Sequence, residues 1–204
     1  MKERVEFMEL REINDMCNNL GAKILKINEY KERGLVPNSG SPYLINEPEV
    51  FFTVISVGTA QAKAPEAEKF IARKMGWTKI SPSLNKGDFK TAENKYIELK
   101  NSFSNKAGCL NLRQIRLWQE VDYYLCVYID ETNITDSVVL LLTHEQMEEE
   151  VASCGSATHG TAAANANNQN IEYSITIKVG SPMMTQWIEK YDAPADIKNQ
   201  IIGG

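Results

Sequence analysis

Residues 87–100 read GDFKTAENKYIELK and have the pattern of a β-hairpin. In the second half of this segment polar and apolar side chains alternate, so Glu98 and Lys100 project from one face of a strand. Ile97 and Leu99 project from the opposite face, where they can contact a core. The polar residues in the middle predict a turn, and the residues before them predict the partner strand.

Asp88 stands at the start of this hairpin and would lie beside Glu98 and Lys100. Two neighbouring carboxylates repel each other, and a divalent cation offsets that repulsion. Oxygen ligands with open positions suit Mg²⁺, which keeps several waters and bridges to phosphate. A nearby lysine can orient or deprotonate a water, so the three side chains predict metal-assisted hydrolysis of a phosphodiester. The alternative is an exposed hairpin with an ordinary salt bridge, because matches this short often arise by chance.

An amphipathic helix is predicted upstream, over residues 64–75. Pro65 suits its first turn, and Gly76 is typical of a helix end. Glu68 shares a helix stripe with Ile71, so its carboxylate is predicted to face inward. The alternative for Glu68 is an acid that only favours the positive end of the helix.

Residues 107–119 predict a short helix that follows a polar loop and carries two arginines. Residues 95–118 hold five basic side chains and one acid, so a basic face lies inside an acidic chain. Guanidinium groups bind phosphate oxygens through paired hydrogen bonds. We therefore assign Arg113, Gln114 and Arg116 as nucleic-acid contacts. The alternative is a solvated helix face.

The order of these segments resembles the PD-(D/E)XK nuclease superfamily, and within it the type II restriction endonucleases. The shared features are a helix, a Gly-Asp strand, a Glu-x-Lys strand and an arginine-bearing segment. By this resemblance the carboxylates of Asp88 and Glu98 bind Mg²⁺, and the carbonyl of Leu99 assists them. Lys100 would act on the attacking water, and Glu68 would be an auxiliary acid.

The resemblance covers about residues 64–130, and one position departs from it: Gly87 stands where the family motif has proline. It implies a homodimer that cuts double-stranded DNA at a short specific sequence, with Mg²⁺ as cofactor and no organic cofactor. Two alternatives stay open. One is a structure-selective repair or recombination nuclease of the same fold, and the other is a non-catalytic DNA-binding protein.

Composition sets broad limits on the class of protein. The chain has 204 residues, enough for one sizeable core, and its 43% hydrophobic and 24% charged content is ordinary for a soluble globular protein. No apolar run is long enough to span a membrane. The four cysteines have no paired spacing, which argues against a zinc site and against a disulfide framework. A reducing cytoplasm is therefore the expected compartment. The net charge of -5 argues against bulk coating of nucleic acid but is compatible with a basic cleft.

The fold class is predicted to be α/β, or mixed α+β, with a central mixed β-sheet between helices in three layers. Apolar residues 121–130 and 137–142 predict buried strands, and Thr143 with Gln146 forms a capping box at the start of a helix. The apolar run 50–57 fits a strand or a helix. We predict one domain over residues 1–204, divided into a helical region 1–48, a catalytic core 49–152, a polar loop 153–170, and a C-terminal strand and helix 171–204.

The polar loop has no charged side chain except a histidine and no large apolar residue, so it cannot form a core. It is either a disordered connection or a segment that DNA orders. Its side chains offer hydrogen-bond donors and acceptors, and asparagine can pair with adenine through two bonds. On this interpretation the residues that recognise DNA sequence are Thr158, His159, Thr161, Asn165 and Asn167.

Overall fold

The structure is a computed structural model that describes residues 19–37, 40–81, 84–104, 108–158 and 171–203. These residues form eight β-strands and six α-helices. The strands are Thr78–Lys79 (β1), Phe89–Lys90 (β2), Tyr96–Phe103 (β3), Cys109–Ile115 (β4), Tyr123–Ile129 (β5), Val138–Thr143 (β6), Ser156–Thr158 (β7) and Glu172–Lys178 (β8). The helices are residues 19–32 (α1), Pro48–Ser56 (α2), Ala60–Met75 (α3), His144–Cys154 (α4), Pro182–Tyr191 (α5) and Ala195–Ile202 (α6). Within those ranges, each helix is too short or too polar to cross a lipid bilayer.

The central sheet has five strands in the order β1-β2-β3-β5-β6. Strands β2 and β3 pair antiparallel, with Phe89 opposite Ile97, as the hairpin pattern predicts. Strand β3 pairs parallel with β5, and β5 pairs antiparallel with β6. The predicted mixed sheet and the α+β class are therefore confirmed.

One face of the central sheet carries a core shared with helices α2, α3 and α6. Ile97 and Leu99 of β3 face this core, which places Glu98 and Lys100 on the opposite face. Phe51 of α2 stacks on Phe70 of α3 with ring centroids 4.0 Å apart. Stacked and edge-on aromatic pairs add about 1 kcal/mol each beyond the area that they bury.

The opposite face packs against helices α4 and α5 and a second sheet of three strands, in the order β4-β8-β7. Tyr124 and Cys126 of β5 face this second core, together with Leu110 of β4 and Ile175 of β8. The prediction of helices on both faces is thus correct in part, because a small sheet shares one of the faces.

The structure changes one predicted helix start and decides an assignment that the sequence leaves open. Helix α3 begins at Ala60 and not at residue 64, because Thr59 Oγ1 accepts a hydrogen bond from the Ala62 N–H at 3.4 Å and caps the helix there. Pro65 consequently lies inside the helix and costs it one backbone hydrogen bond. The apolar run 50–57 is helical for most of its length, in α2.

The prediction of a helix over residues 107–119 is wrong, because Cys109–Ile115 form strand β4. Leu110 and Leu112 are buried with the polar residue Asn111 between them, which is the two-residue period of a strand. A register shift between Leu112 and Ile115 then brings Ile115 inward as well. Leu112 and Ile115, which lie three residues apart, imitate a helix stripe only because this β-bulge interrupts the alternation.

The polar loop is shorter than predicted. Helix α4, with the predicted capping box at its start, continues to Cys154, and Ser156–Thr158 pair with strand β8. Thr158 therefore belongs to β7, whereas the other predicted loop contacts lie outside the described residues: His159, Thr161, Asn165 and Asn167. Helix α6 was not predicted. It follows the expected helix α5 and covers the first core through Ile201.

Glu150 of α4 is a buried carboxylate that joins α4 to α5. It accepts hydrogen bonds from Trp187 Nε1 at 3.1 Å and from the Tyr191 hydroxyl at 2.6 Å, and only 8% of the residue is exposed. Lys190 Nζ lies 3.7 Å from it. Because each donor is buried with the carboxylate, the loss of Glu150 would leave two donors without an acceptor.

We expect Glu150→Ala to lower the free energy of unfolding by about 3 kcal/mol, and Glu150→Gln to lower it by less, because an amide oxygen still accepts one of the two bonds. Urea denaturation followed by circular dichroism measures both values. Glu149→Ala is the matched control, since Glu149 is the exposed neighbour on the same helix. Equal losses for residues 149 and 150 would contradict the assignment of a stabilising role to Glu150.

Candidate functional site

Asp88 is fixed to strand β3 by two hydrogen bonds. Its N–H donates to the Ile97 carbonyl at 2.9 Å, and its Oδ2 accepts from the Leu99 N–H at 2.9 Å. These two partners flank Glu98 in sequence. The hairpin therefore places the Asp88 carboxylate beside strand β3 at the level of Glu98, as the sequence predicts.

Gly87 permits this approach. Its φ is +75°, and a Cβ at this position would lie 2.7 Å from the Ile97 oxygen and 2.8 Å from Val121 Cγ1. Proline has φ near about -65° and cannot adopt this conformation. The difference from the family motif thus has a local cause, because the backbone before Asp88 requires glycine.

Glu98 and Lys100 form an ion pair that is largely removed from solvent. Lys100 Nζ lies 2.6 Å from Glu98 Oε1, and the two side chains are 11% and 5% exposed, in that order. Burial raises the pKa of the Glu98 carboxyl, Lys100 opposes this shift, and the Asp88 carboxylate adds to it. The charged form of Glu98 is therefore favoured by Lys100, and to a smaller extent by Arg116, against desolvation and a like charge.

Lys100 has a second partner in strand β4. Its Nζ donates to the carbonyl oxygen of Gln114 at 2.9 Å. Gln114 lies at the β-bulge and has φ +53°, an uncommon conformation for a residue other than glycine. The main chain at Gln114 thus turns its carbonyl toward Lys100. An ammonium group has three N–H donors, so one remains for a water or a phosphate oxygen.

Glu68 contributes a third carboxylate from helix α3. It is half-buried and lines the same cavity as Asp88 and Glu98, so the predicted inward orientation is confirmed. Burial raises the pKa of Glu68, and the negative charge of Asp88 raises it further. Glu68 therefore adds a third carboxylate to the wall of the candidate site.

The cavity at this site has a volume of about 270 Å³. It brings together every predicted catalytic and metal-binding residue, two predicted contacts of strand β4 and a third just after that strand, with two asparagines that were not predicted: Glu68, Asp88, Glu98, Leu99, Lys100, Arg113, Gln114 and Arg116, then Asn101 and Asn111. Predicted residues from a helix, a hairpin and β4 therefore share one site.

The two arginines differ in their surroundings. Arg113 is exposed, whereas Arg116 donates from Nε to Glu172 Oε1 of strand β8 at 2.8 Å. Glu172 offsets the charge of Arg116, although a guanidinium has further N–H donors. Arg113 is thus the better placed of the two for contact with phosphate.

Asn111 is the main residue that the sequence analysis missed. Its N–H donates to Ser102 Oγ at 3.1 Å, and its Oδ1 accepts from Thr176 Oγ1 at 3.1 Å. The available signal was the alternation of Leu110 and Leu112 with polar residues, which predicts a strand whose polar face contains Asn111. The assignment of a helix concealed that face.

The residues present fit a magnesium ion. Asp88, Glu98 and the main chain at Leu99 supply hard oxygen donors at one cavity, and the repulsion between the two carboxylates favours a cation. In the described ranges, no three His, Cys, Asp or Glu side chains lie close enough together to hold a metal ion. Mg²⁺ characteristically uses one or two carboxylates and completes its shell with waters and substrate phosphates.

We expect Gly87→Ala to lower the free energy of unfolding by about 3 kcal/mol, because it adds a backbone clash to the cost of positive φ. Gly180→Ala is the control: Gly180 has the same φ of +75° but nothing within 4 Å of an added Cβ. That variant should lose about 1–2 kcal/mol. Urea unfolding of both proteins compares the two costs, and equal losses would show that the close approach at Gly87 is unimportant.

No protein-family model and no curated protein matches the chain. The resemblance to PD-(D/E)XK nucleases therefore stays a hypothesis, and the interpretation of the site depends on Asp88, Glu98, Lys100 and the residues around them.

Proposed function

We propose that this chain is a Mg²⁺-dependent endonuclease that hydrolyses phosphodiester bonds of double-stranded DNA, in its most specific form a type II restriction endonuclease. The observation that supports the proposal is the convergence of Asp88, Glu98 and Lys100 at one cavity. An ordinary exposed salt bridge, the alternative from sequence, does not account for an ion pair whose side chains are 11% and 5% exposed.

Asp88, Glu98 and the Leu99 carbonyl would hold the magnesium ion. When bound, Mg²⁺ would lower the pKa of a water and offset the charge that develops on the phosphate. The hydrogen bond from the Leu99 N–H to Asp88 Oδ2 fixes one of these carboxylates to the strand that carries the other. This rigidity matters because productive geometry is worth several kcal/mol in catalysis, about 7–11 in favourable cases.

Lys100 would orient the attacking water and the phosphate. Two of its N–H donors are used by Glu98 and by the Gln114 carbonyl, which restrict the position of Nζ. Glu68 would accept a proton at its carboxylate, because burial raises its pKa and so makes it a stronger base than an exposed glutamate. The Glu68 carboxylate would act from helix α3 and the Lys100 ammonium group from strand β3.

Arg113 would bind the DNA backbone next to the cavity, because its guanidinium is exposed at the cavity wall. A homodimer is part of the proposal, since two copies related by a twofold axis match a symmetric recognition site. A cytoplasmic location is also part of the proposal.

The direct test incubates the protein with a sequenced plasmid in Mg²⁺, beside an EDTA control. We expect discrete fragments with one shared end sequence, and their loss in EDTA. Asp88→Asn and Lys100→Met should each reduce the cleavage rate by about 10²- to 10³-fold, because each removes charge from the site. Lys95→Met is the matched control: Lys95 pairs with Asp122 at 2.7 Å outside the cavity and should not affect cleavage.

Other outcomes of the same assay point to the alternatives. Cleavage of branched DNA in preference to duplex plasmid would indicate a structure-selective nuclease. Absence of hydrolysis on duplex and branched DNA, with binding that Asp88→Asn does not change, would favour a non-catalytic DNA-binding protein and refute the proposed reaction.

A second prediction concerns the backbone at Gln114. Gln114→Gly should keep the carbonyl on Lys100, because glycine adopts positive φ freely, whereas valine does so only with strain. We expect the cleavage rate of Gln114→Val to be about 10-fold or more below that of Gln114→Gly, as a displaced lysine lowers the rate. Both variants lack the amide side chain, so single-turnover rates isolate the backbone effect. Equal rates would contradict it.

A further inference from the structure

The three-stranded sheet presents a polar outer face. Along β4 and β8 the buried residues Leu110, Leu112, Ile175 and Ile177 face the core. The side chains that alternate with these buried residues point away from the core. Of these, Arg113, Thr176 and Lys178 are exposed, whereas Asn111 and Ser174 are half-buried. We call these five residues the outer sheet face.

The polar side chains at the centre of the outer sheet face are held in place. Asn111 and Thr176 are opposite each other in the β4–β8 register. Thr176 Oγ1 donates to Asn111 Oδ1 at 3.1 Å, and Asn111 Nδ2 donates to the Cys109 carbonyl at 3.1 Å. An asparagine restrained in this way loses less conformational entropy when it binds a ligand than a freely rotating one.

The outer sheet face is continuous with the candidate catalytic cavity. Asn111 and Arg113 belong to both. Hydrogen bonds also join strand β4 to strand β3, which carries Glu98 and Lys100. The Asn111 N–H donates to Ser102 Oγ, and Lys100 Nζ donates to the Gln114 carbonyl. A ligand on the outer sheet face therefore has a fixed position relative to Lys100.

The charge of the outer sheet face suits a polyanion. Arg113 and Lys178 are its charged residues, and both are positive. The neighbouring acid, Glu172, is bonded to Arg116 at 2.8 Å. This local positive charge lies on a chain with a net charge of -5, so the outer sheet face has the sign of charge that attracts phosphates although the chain as a whole does not.

We infer that the outer sheet face enters a groove of duplex DNA and that Asn111 and Thr176 contact base edges and help to select the cleaved sequence. The major groove is about 12 Å wide and admits a two-stranded β-ribbon such as β4–β8. Asparagine and threonine are side chains that recognise bases there, and Arg113 and Lys178 would contact the flanking phosphates. The inference rests on the proposed DNA-cutting function.

The experiment measures sequence preference with a pool of random duplex DNA and Mg²⁺, by sequencing the cleaved ends. The readout is the cleavage rate of the preferred sequence divided by that of sequences with one base changed. We expect Thr176→Val and Asn111→Ala each to lower this ratio by about 10-fold or more at one position of the site. Thr185→Val and Asn199→Ala, at exposed positions of α5 and α6, are matched controls that should leave the ratio unchanged.

Circular dichroism checks that each variant is folded, and valine at position 176 keeps the strand propensity of threonine. An unchanged ratio in both variants, with cleavage retained, would overturn the inference and leave the proposed function intact. A uniform loss of rate at all sequences would also overturn it, because that result describes phosphate contact alone. No cleavage by the unmodified protein would instead refute the proposed function.

Discussion

The candidate site depends on the pair of hydrogen bonds between Asp88 and strand β3. They set the Asp88 carboxylate at the level of Glu98, and they require the close approach of Gly87 to the Ile97 carbonyl. Strand β3 is itself held by seven paired residues of β5 in the centre of the sheet. Because β5 is buried on both faces, it anchors strand β3, which carries Glu98 and to which Asp88 is hydrogen-bonded.

Two buried glutamates illustrate the difference between a structural acid and a candidate functional acid. Glu150 is surrounded by donors, with Trp187 and Tyr191 bonded to its oxygens. Glu98 is as deeply buried, but it faces the like charge of Asp88 and is balanced by Lys100. A fold gains no stability from acids that repel each other in a cavity. That arrangement is therefore better explained by a ligand of positive charge than by the needs of folding.

The sequence predicts those parts of the site that local patterns encode. Alternation and turn residues give the hairpin with Asp88 and Glu98, and the helix stripe gives the orientation of Glu68. Strand β4 was misread because the bulge at Gln114 shifts the alternation by one residue. The bond between Asn111 and Thr176 joins residues 65 positions apart, and no local period contains such a contact. Residues whose importance comes from pairing between distant strands need the tertiary structure.

The bulge in strand β4 links recognition to chemistry in the proposed enzyme. Asn111 and Arg113, which precede the bulge, line the cavity where the proposed ligand would bind, while the Gln114 carbonyl at the bulge accepts a hydrogen bond from Lys100. A small displacement of β4 by a poorly fitting DNA sequence would move that carbonyl and, with it, the lysine. Discrimination between sequences would then act on the chemical step as well as on binding, which is how an enzyme converts the fit of its substrate into rate.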